Sequence, residues 1–337
     1  MARTNPQDTL QQEEGNTVDD QSGRPRWKDR RGRWRRGWVI SAAALLTTLL
    51  MLFHSRVPNS IGHLGSLLQT FLPWTGLAVP LLLAAAVVRR SLTAVLAVLV
   101  PAALWLNLFG GLLADKTQDG GALLVVSHNV DAENPDPTGT AQDLISSRPD
   151  VLALQEIPHG QRDTYAAALA DTYPHHAMEG TVGVWSRYPL SHTRPVDIGM
   201  GWPRAMRSTV RTPDGDIAVY VAHLPSVRLQ FRAGFTAGQR DDAADRLAHS
   251  IVGDPVEKVV LLGDLNGTMN DRALAPLTSH MRSTQGATGA GFGFTFPARF
   301  PVTRIDQILV RGIEPVSSWT LPATTSDHLP VAARIEP

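Results

Sequence analysis

Hydrophobic positions divide the chain into two regimes. From Trp38 to Ala114 they run almost without interruption, in the segments Trp38–Phe53, Leu67–Val88 and Leu92–Ala114, and Arg56, Arg89 and Arg90 are the charged residues of that region. At a rise of about 1.5 Å per residue, the second and third segments are long enough to cross a hydrocarbon core about 30 Å thick. The first is shorter and needs Trp38 and the arginines before it as interfacial anchors, or a thin bilayer. Pro73, Pro80 and Pro101 are tolerable in such helices because neighbours can satisfy the freed carbonyls. The pattern predicts three transmembrane helices over residues 38–114. The alternative, three buried helices of a soluble domain, needs a protein cover for the whole stretch.

Beyond Ala122 the pattern breaks into short apolar runs alternating with amphipathic stretches. It predicts strands at Ala122–Ser127, Val151–Leu154, Thr181–Trp185, Ser208–Thr212, Ile217–Ala222, Val259–Leu262, Arg304–Val310 and Pro330–Ile335. Helices are expected at Thr140–Ser147, Gln161–Asp171, Arg240–Val252 and Asp271–Ser279. Many strands with helices interspersed imply a layered α+β domain over residues 122–337, joined to the apolar region by a linker at 115–121.

Charge gives the apolar region a direction. Residues 1–37 are a polar leader, expected to be disordered over 1–23, that ends in the basic cluster Arg24–Arg36. A basic run abutting an apolar one marks the cytoplasmic flank of a membrane helix, and a nucleic-acid arm is the competing reading. With Arg89-Arg90 between the second and third segments, positive-inside places the amino terminus in the cytoplasm and residues after Ala114 outside it. The expectation is a multi-pass protein of the cytoplasmic membrane with an extracytoplasmic domain. A cleaved signal peptide fits poorly, because the polar leader is long and two more apolar segments follow. The 337 residues carry no formal net charge, yet residues 116–337 hold nineteen Lys/Arg against twenty-four Asp/Glu, a net of minus five. Cysteine is absent, which removes disulfides, thiolate catalysis and cysteine zinc sites from consideration.

Candidate chemistry sits at the strand ends. The first strand leads into Ser127-His128-Asn129, the second ends Leu154-Gln155-Glu156, and the fifth ends Val221-Ala222-His223. Val259-Val260-Leu261-Leu262 stops at Gly263 and presents Asp264 and Asn266, whose i, i+2 spacing points both side chains the same way. Arg304-Ile305-Asp306 places an acid inside a strand, and Ser326-Asp327-His328 precedes the last one. Singly, each has a plain structural explanation: a surface acid for Glu156, a sheet-edge histidine for His223, an ion pair with Arg304 for Asp306, a turn cap for Asp327. Their joint order is harder to explain so.

In that order the motifs resemble the endonuclease/exonuclease/phosphatase superfamily, and Gly183-Val184-Trp185-Ser186-Arg187-Tyr188-Pro189-Leu190 resembles a further segment of it. The resemblance covers residues 122–337 and none of the apolar segments. It implies a four-layer α/β sandwich, two packed mixed sheets flanked by helices, preceded here by the three spans. It implies that Glu156 is the principal ligand of a divalent ion, Mg2+ or Mn2+, with Asn129 and Asp327 near the same site. Hard oxygen donors suit those ions. Asp264 resembles the residue that orients or deprotonates the attacking water, and Asn266 a donor to the phosphoryl oxygens. His223 and His328 resemble a pair that grips the phosphate, Asp306 the acid that fixes the His328 tautomer, and Asn129 a further phosphate neighbour. Arg204 is similar to a family arginine preceding a strand, and Arg207 is an equal candidate. Gln307 and Leu265 stand where many relatives carry aromatics.

The implied activity is metal-assisted hydrolysis of a phosphate ester or anhydride. A net negative domain opposes a nonspecific nuclease, whose affinity rests on many cationic phosphate contacts. Tethering near the outer leaflet favours a lipid-linked phosphate or pyrophosphate of the envelope. The partners indicated are therefore a lipid bilayer and a lipid-linked substrate, with nucleic acid disfavoured and no protein partner indicated. A membrane-tethered nuclease and a non-catalytic scaffold remain the alternatives. Phe292, Phe294 and Phe296, at alternating positions, line an apolar entrance or fill core.

Overall fold

The computed structural model describes residues 37–60, 62–230 and 234–337. The leader and the basic cluster Arg24–Arg36 lie outside the described residues. In chain order the strands are β1 (Leu123–Asn129), β2 (Val151–Gln155), β3 (His175–Glu179), β4 (Val182–Ser186), β5 (Leu190–Pro195), β6 (Ala205–Thr212) and β7 (Gly215–His223). They continue as β8 (Arg228–Gln230), β9 (Gly234–Thr236), β10 (Val259–Asp264), β11 (Arg282–Ser283), β12 (Asp306–Arg311), β13 (Glu314–Thr320) and β14 (Val331–Glu336). Two six-stranded sheets result, ordered β13-β14-β1-β2-β4-β3 and β11-β12-β10-β7-β6-β5, with β8-β9 a separate hairpin. Both sheets are mixed: β1 with β2, and β10 with β7, run parallel, and the remaining pairs are antiparallel.

Alternation within single strands builds the layers. On β10, Val260 and Leu262 enter the core between the sheets, while Val259 and Leu261 face outward onto a helix. On β1, Leu123 and Val125 point inward, and Leu124 and Val126 outward. Strands buried on both faces read as continuous apolar runs, which is why these were legible. The helices are α1 (Trp38–Leu52), α2 (Leu64–Thr70), α3 (Ala78–Val88), α4 (Leu92–Leu113), α5 (Pro137–Ser146), α6 (Arg162–Leu169) and α7 (Gly238–Val252), with short turns at Ala275–Thr278 and Thr284–Thr288. The buried faces of α5 and α6 cover one sheet, and that of α7 covers the other, giving the expected four layers.

Three expectations need correction. The strands β3, β5, β8, β9, β11 and β13 lie outside the expected set; β8, β9 and β11 are only two or three residues long, and β3 and β5 are sheet edges that lack an apolar run. The helix expected at Asp271–Ser279 is a 3-10 turn, Arg272–Leu274, followed by the single turn Ala275–Thr278. The three spans are not supported either. Only α4, with 22 residues, is long and apolar enough among the described residues to cross a membrane by itself. The second segment is bent by 67° between Leu64–Thr70 and Leu72–Val88, where Pro73, in the first turn after the break, has no N–H to continue the ladder. The helix α1 has 15 residues, about 22 Å of length, short of the about 30 Å needed.

The apolar helices are docked on the domain. Trp74 Nε1 donates to Val302 O at 2.8 Å, Thr268 Oγ1 to Gln69 O at 3.3 Å, and the Arg272 amide to Gln69 Oε1 at 3.1 Å. Ser66 Oγ on α2 lies 3.3 Å from both Asp271 Oδ1 and Arg240 Nη2. Phe292 packs into the helical cluster of Met51, Leu72 and Phe109.

On the outer face of the second sheet, Arg207 makes a buried two-point pair with Asp254, Nε to Oδ2 at 2.9 Å and Nη2 to Oδ1 at 3.1 Å. Removing one partner strands a buried charge. Arg207→Ala is expected to destabilise the domain by about 3–5 kcal/mol, measured by urea unfolding at neutral pH. A change under about 0.5 kcal/mol would contradict the pairing.

Candidate active site

The parallel and antiparallel pairings of β10 put three strand ends in one row. Asp264 is the register partner of His223 on β7 and of Asp306 on β12. Gly263 makes that row possible, because a Cβ there would lie 1.9 Å from Ala222 O on the neighbouring strand. Across the sandwich, Asn129 ends β1 opposite Gln155, and Glu156 follows directly. Glu156 and Asn266 both turn out of their strands with positive φ, 61° and 45°. Non-glycine residues pay strain for that conformation, and such strain concentrates at functional sites.

The side chains converge. Asp264, 1 % exposed, accepts from the Asn266 amide at 2.8 Å, Asn129 Nδ2 at 3.0 Å and Asn266 Nδ2 at 3.2 Å. Its Oδ2 lies 3.8 Å from His223 Nε2 and 3.9 Å from His328 Nε2. His328 Nδ1 meets both oxygens of Asp306, at 2.9 and 3.1 Å, which leaves Nε2 aimed at Asp264. Glu156 Oε1 is 3.2 Å from His223 Nε2, and Glu156 Oε2 accepts from the Ala132 amide. Arg204 Nη2 donates to the same His223 nitrogen at 2.6 Å and to the Leu224 carbonyl, while its Nε donates to His223 O. Its guanidinium lies over Trp202, 5.2 Å from the ring centre. Asp327 stands at the rim, half exposed, 3.8 Å from His328 Nε2.

Every sequence-derived candidate except Arg207 therefore comes to one place. Of the two arginines, Arg204 faces the site and Arg207 is committed to Asp254. Asn129 offers Asp264 its amide nitrogen, while its Oδ1 accepts from the Asp131 amide. Arg304 does not pair with Asp306; its Nη1 donates to Gly293 O. Sequence reasoning missed Arg240. Its Nη1 holds Asn266 O at 2.9 Å and its Nη2 pairs with buried Asp271 at 2.8 Å, fixing the loop after Asp264. The signal was present: Arg240 lies on the apolar stripe of α7, three and four residues before Ala243 and Ala244.

Burial and charge set the protonation states. Burial first, then the Asp306 carboxylate, push Asp264 up to about 7, against the opposing effect of His328. Burial works against charge on His328, but contact with Asp306, aided by Asp264 and Asp327, carries it up to about 10. Burial, Arg204 and His328 hold His223 well below its ordinary value, so it is neutral and its Nε2 lone pair accepts from Arg204. Burial raises Asp327, with Asp131 and Glu156 adding to the effect.

A divalent cation suits this donor set. Asp264, Asp306 and His328 crowd within 4.8 Å of one another, but charged His328 has no lone pair to give, so the carboxylates are the donors, Glu156 and Asp327 among them. A His223 Nε2 that accepts from Arg204 gives Glu156 Oε1 no proton, leaving that oxygen to a cation. The donors are hard oxygens, the preference of Mg2+ and Mn2+ rather than of soft metals.

Two outcomes follow for the metal-free protein. Between 3.8 and about 7 folded Asp264 keeps a proton that the unfolded chain has released. Stability therefore falls as pH rises through that window, and the full cost is present above it. Asp264→Asn is expected to raise the thermal midpoint in EDTA above about pH 7 and to leave it unchanged near about pH 4. His328 has the opposite sign: its stabilisation is complete below 6.5 and is lost as pH rises through about 10. Imidazole NMR should show it charged throughout the neutral range, and Asp306→Asn should bring its midpoint down into that range.

Comparison with known proteins agrees with this fold. The sequence pattern of the Endonuclease/Exonuclease/phosphatase family matches residues 126–328. No curated protein matches the chain. D. rerio TDP2 complexed with a single-strand DNA product is similar in fold at 18% identity and a TM-score of 0.54, over 64% of this chain and 99% of that one. The Bacteroides thetaiotaomicron mannosyl-6-phosphatase is similar at 16% identity and a TM-score of 0.52, over 64% and 99%. An endonuclease/exonuclease/phosphatase from Beutenbergia cavernae is similar at 19% identity and 0.50, over 64% and 72%. The chain belongs to the endonuclease/exonuclease/phosphatase family, whose members are divalent-metal-dependent phosphoesterases and nucleases, and it is a metal-dependent hydrolase of phosphate esters or anhydrides.

Proposed function

We propose that this hydrolase is anchored in the cytoplasmic membrane and acts on a lipid-linked phosphate or pyrophosphate of the cell envelope from the extracytoplasmic side. The observation that carries the reading is the docking of the loop after Asp264 onto the apolar helices, through Thr268 and Arg272 on Gln69 and Asp271 on Ser66. The site is thereby held beside the most apolar surface of the molecule. Among the described residues, all the exposed large hydrophobics except Trp202, Val252 and Phe300 lie between Trp38 and Leu113. Contiguous apolar exposure on that scale marks a membrane or partner surface. Anchoring through α4, with α1 and the bent pair beside it, accounts for it. Arg89-Arg90 flank the start of α4 against the single Lys116 after its end, and by positive-inside that asymmetry favours a domain outside. The combination resembles the teicoplanin resistance membrane protein VanJ of actinomycetes, which implies a polyprenyl pyrophosphate as substrate and a role in glycopeptide resistance.

The residues divide the work as follows. Glu156 would hold the Mg2+ or Mn2+ ion, and Asn129 and Asp327 would contribute to the same site. When bound, the ion supplies neutralisation of the phosphate charge that builds in the transition state. Asp264, with a pKa near the working pH, takes the proton of the attacking water. Asn266 and Asn129 fix that carboxylate. Charged His328 donates from Nε2 to a phosphoryl oxygen, and Asp306 holds its Nδ1 proton and its charge. Arg204 adds a fixed cation and orients neutral His223. Charge stabilisation and positioning dominate such a reaction.

The test is phosphate release by the full chain in phospholipid vesicles with and without magnesium, on undecaprenyl pyrophosphate, a sphingomyelin-type diester and a plain nucleic acid. Metal-dependent release from the lipid pyrophosphate is expected, lowered by about 100-fold or more in Glu156→Ala. Cleavage of nucleic acid alone would make the protein a tethered nuclease. Silence on all three would leave a scaffold.

A further inference from the structure

Between the apolar helices and the domain lies a cavity of about 460 Å³, within the about 300–1,000 Å³ range of small-molecule sites. Pro73 and Trp74 form one side of it, Trp105 and Leu106 of α4 a second, and Phe292 and Phe294 a third. Every lining residue is apolar or glycine. The two indole N–H groups are spent on backbone carbonyls, Trp74 on Val302 and Trp105 on Pro73, so both rings present only carbon to the space. Protein interiors close such voids when they can, and this one is propped open by a bent helix and stacked aromatics. Leu77 and Leu106 at its rim are more than half exposed, on the surface that the proposed function places in lipid.

The inner wall leads to the chemistry. Phe292 stacks on Phe294 at 5.2 Å, Phe294 on Trp74 at 5.7 Å, and Phe296, two residues on, lies 4.8 Å from the His328 ring. A second cavity of about 120 Å³ shares Pro73, Phe292 and Phe294 with the first and reaches Thr268 and Gln307, close in sequence to Asp264 and Asp306. We infer that the larger cavity binds the hydrocarbon chain of the substrate, entering between α3 and α4 from the bilayer while the phosphate lies against His328. This rests on the reading that the substrate is lipid-linked. A helix, about 10–12 Å across with its side chains, does not enter a space of this volume; a single hydrocarbon chain does. The alternating phenylalanines are thus an apolar lining, and their stacking is the wall of a binding site as well as core.

The test compares farnesyl pyrophosphate with chainless methyl pyrophosphate, using the full chain in phospholipid vesicles and two variants that fill the cavity from different sides, Ala102→Phe and Val79→Phe. Each variant is expected to raise KM for farnesyl pyrophosphate by about tenfold or more, as displacing a few methylenes requires. The constants for methyl pyrophosphate should be unchanged. Equal effects on both substrates, or none on either, would overturn the assignment. If the wild type releases phosphate from neither compound, the proposed substrate class fails separately. The cavity is then judged by quenching of Trp74 and Trp105 fluorescence with a dibrominated alkyl phosphate. Quenching that the filled variants lose supports a chain site, and quenching equal in all three proteins overturns it.

Discussion

A carboxylate buried at the end of β10 is the constraint around which this domain is built. Asp264 is almost wholly enclosed, its nearest ring nitrogens stand at 3.8 and 3.9 Å, and Asp306 lies opposite it in the next strand. Charging such a group is costly. Three N–H donors offset part of that cost, and a charged His328, held by Asp306, offsets more. The remainder appears as a raised pKa, the property a proton acceptor needs near neutral pH. Glycine at 263, the left-handed turn at Asn266 and the Arg240 clamp on Asn266 O all serve to hold this one group in place.

The same loop joins the site to the apolar helices. Arg240 touches Asn266 O, Asp271 and Ser66 of α2, so a displacement of the helical segment is felt two residues from the reacting acid. The apolar helices and the candidate site are one packed unit, with Phe292 shared between the helical cluster and the domain. On the proposed function that arrangement is an advantage, because the phosphate of a lipid cannot move far from the surface that holds its chain.

The core sheets were legible because β1, β2, β7 and β10 are buried on both faces and read as unbroken apolar runs. The site was legible because acids, amides and histidines terminate those runs, and register then brings His223, Asp264 and Asp306 together. The strands β3 and β5 were hidden because edge strands need no apolar run. The choice of Arg204 over Arg207 was hidden too: Asp254, which claims Arg207, lies 47 residues away in sequence. The bend at Phe71–Pro73 was readable from its proline, yet apolarity alone suggested a continuous span. Arg240 was overlooked since a charge on an apolar stripe declares its role only when its buried partners are known.

The most direct measurement is anomalous diffraction from crystals of the full chain soaked in Mn2+. The account predicts a single strong peak at the Glu156 carboxylate, on the side facing Asp264 and His328, and its loss in Glu156→Ala. A peak elsewhere with none at Glu156, or none at all at saturating manganese, would contradict the claim that this constellation is a metal-dependent phosphohydrolase site.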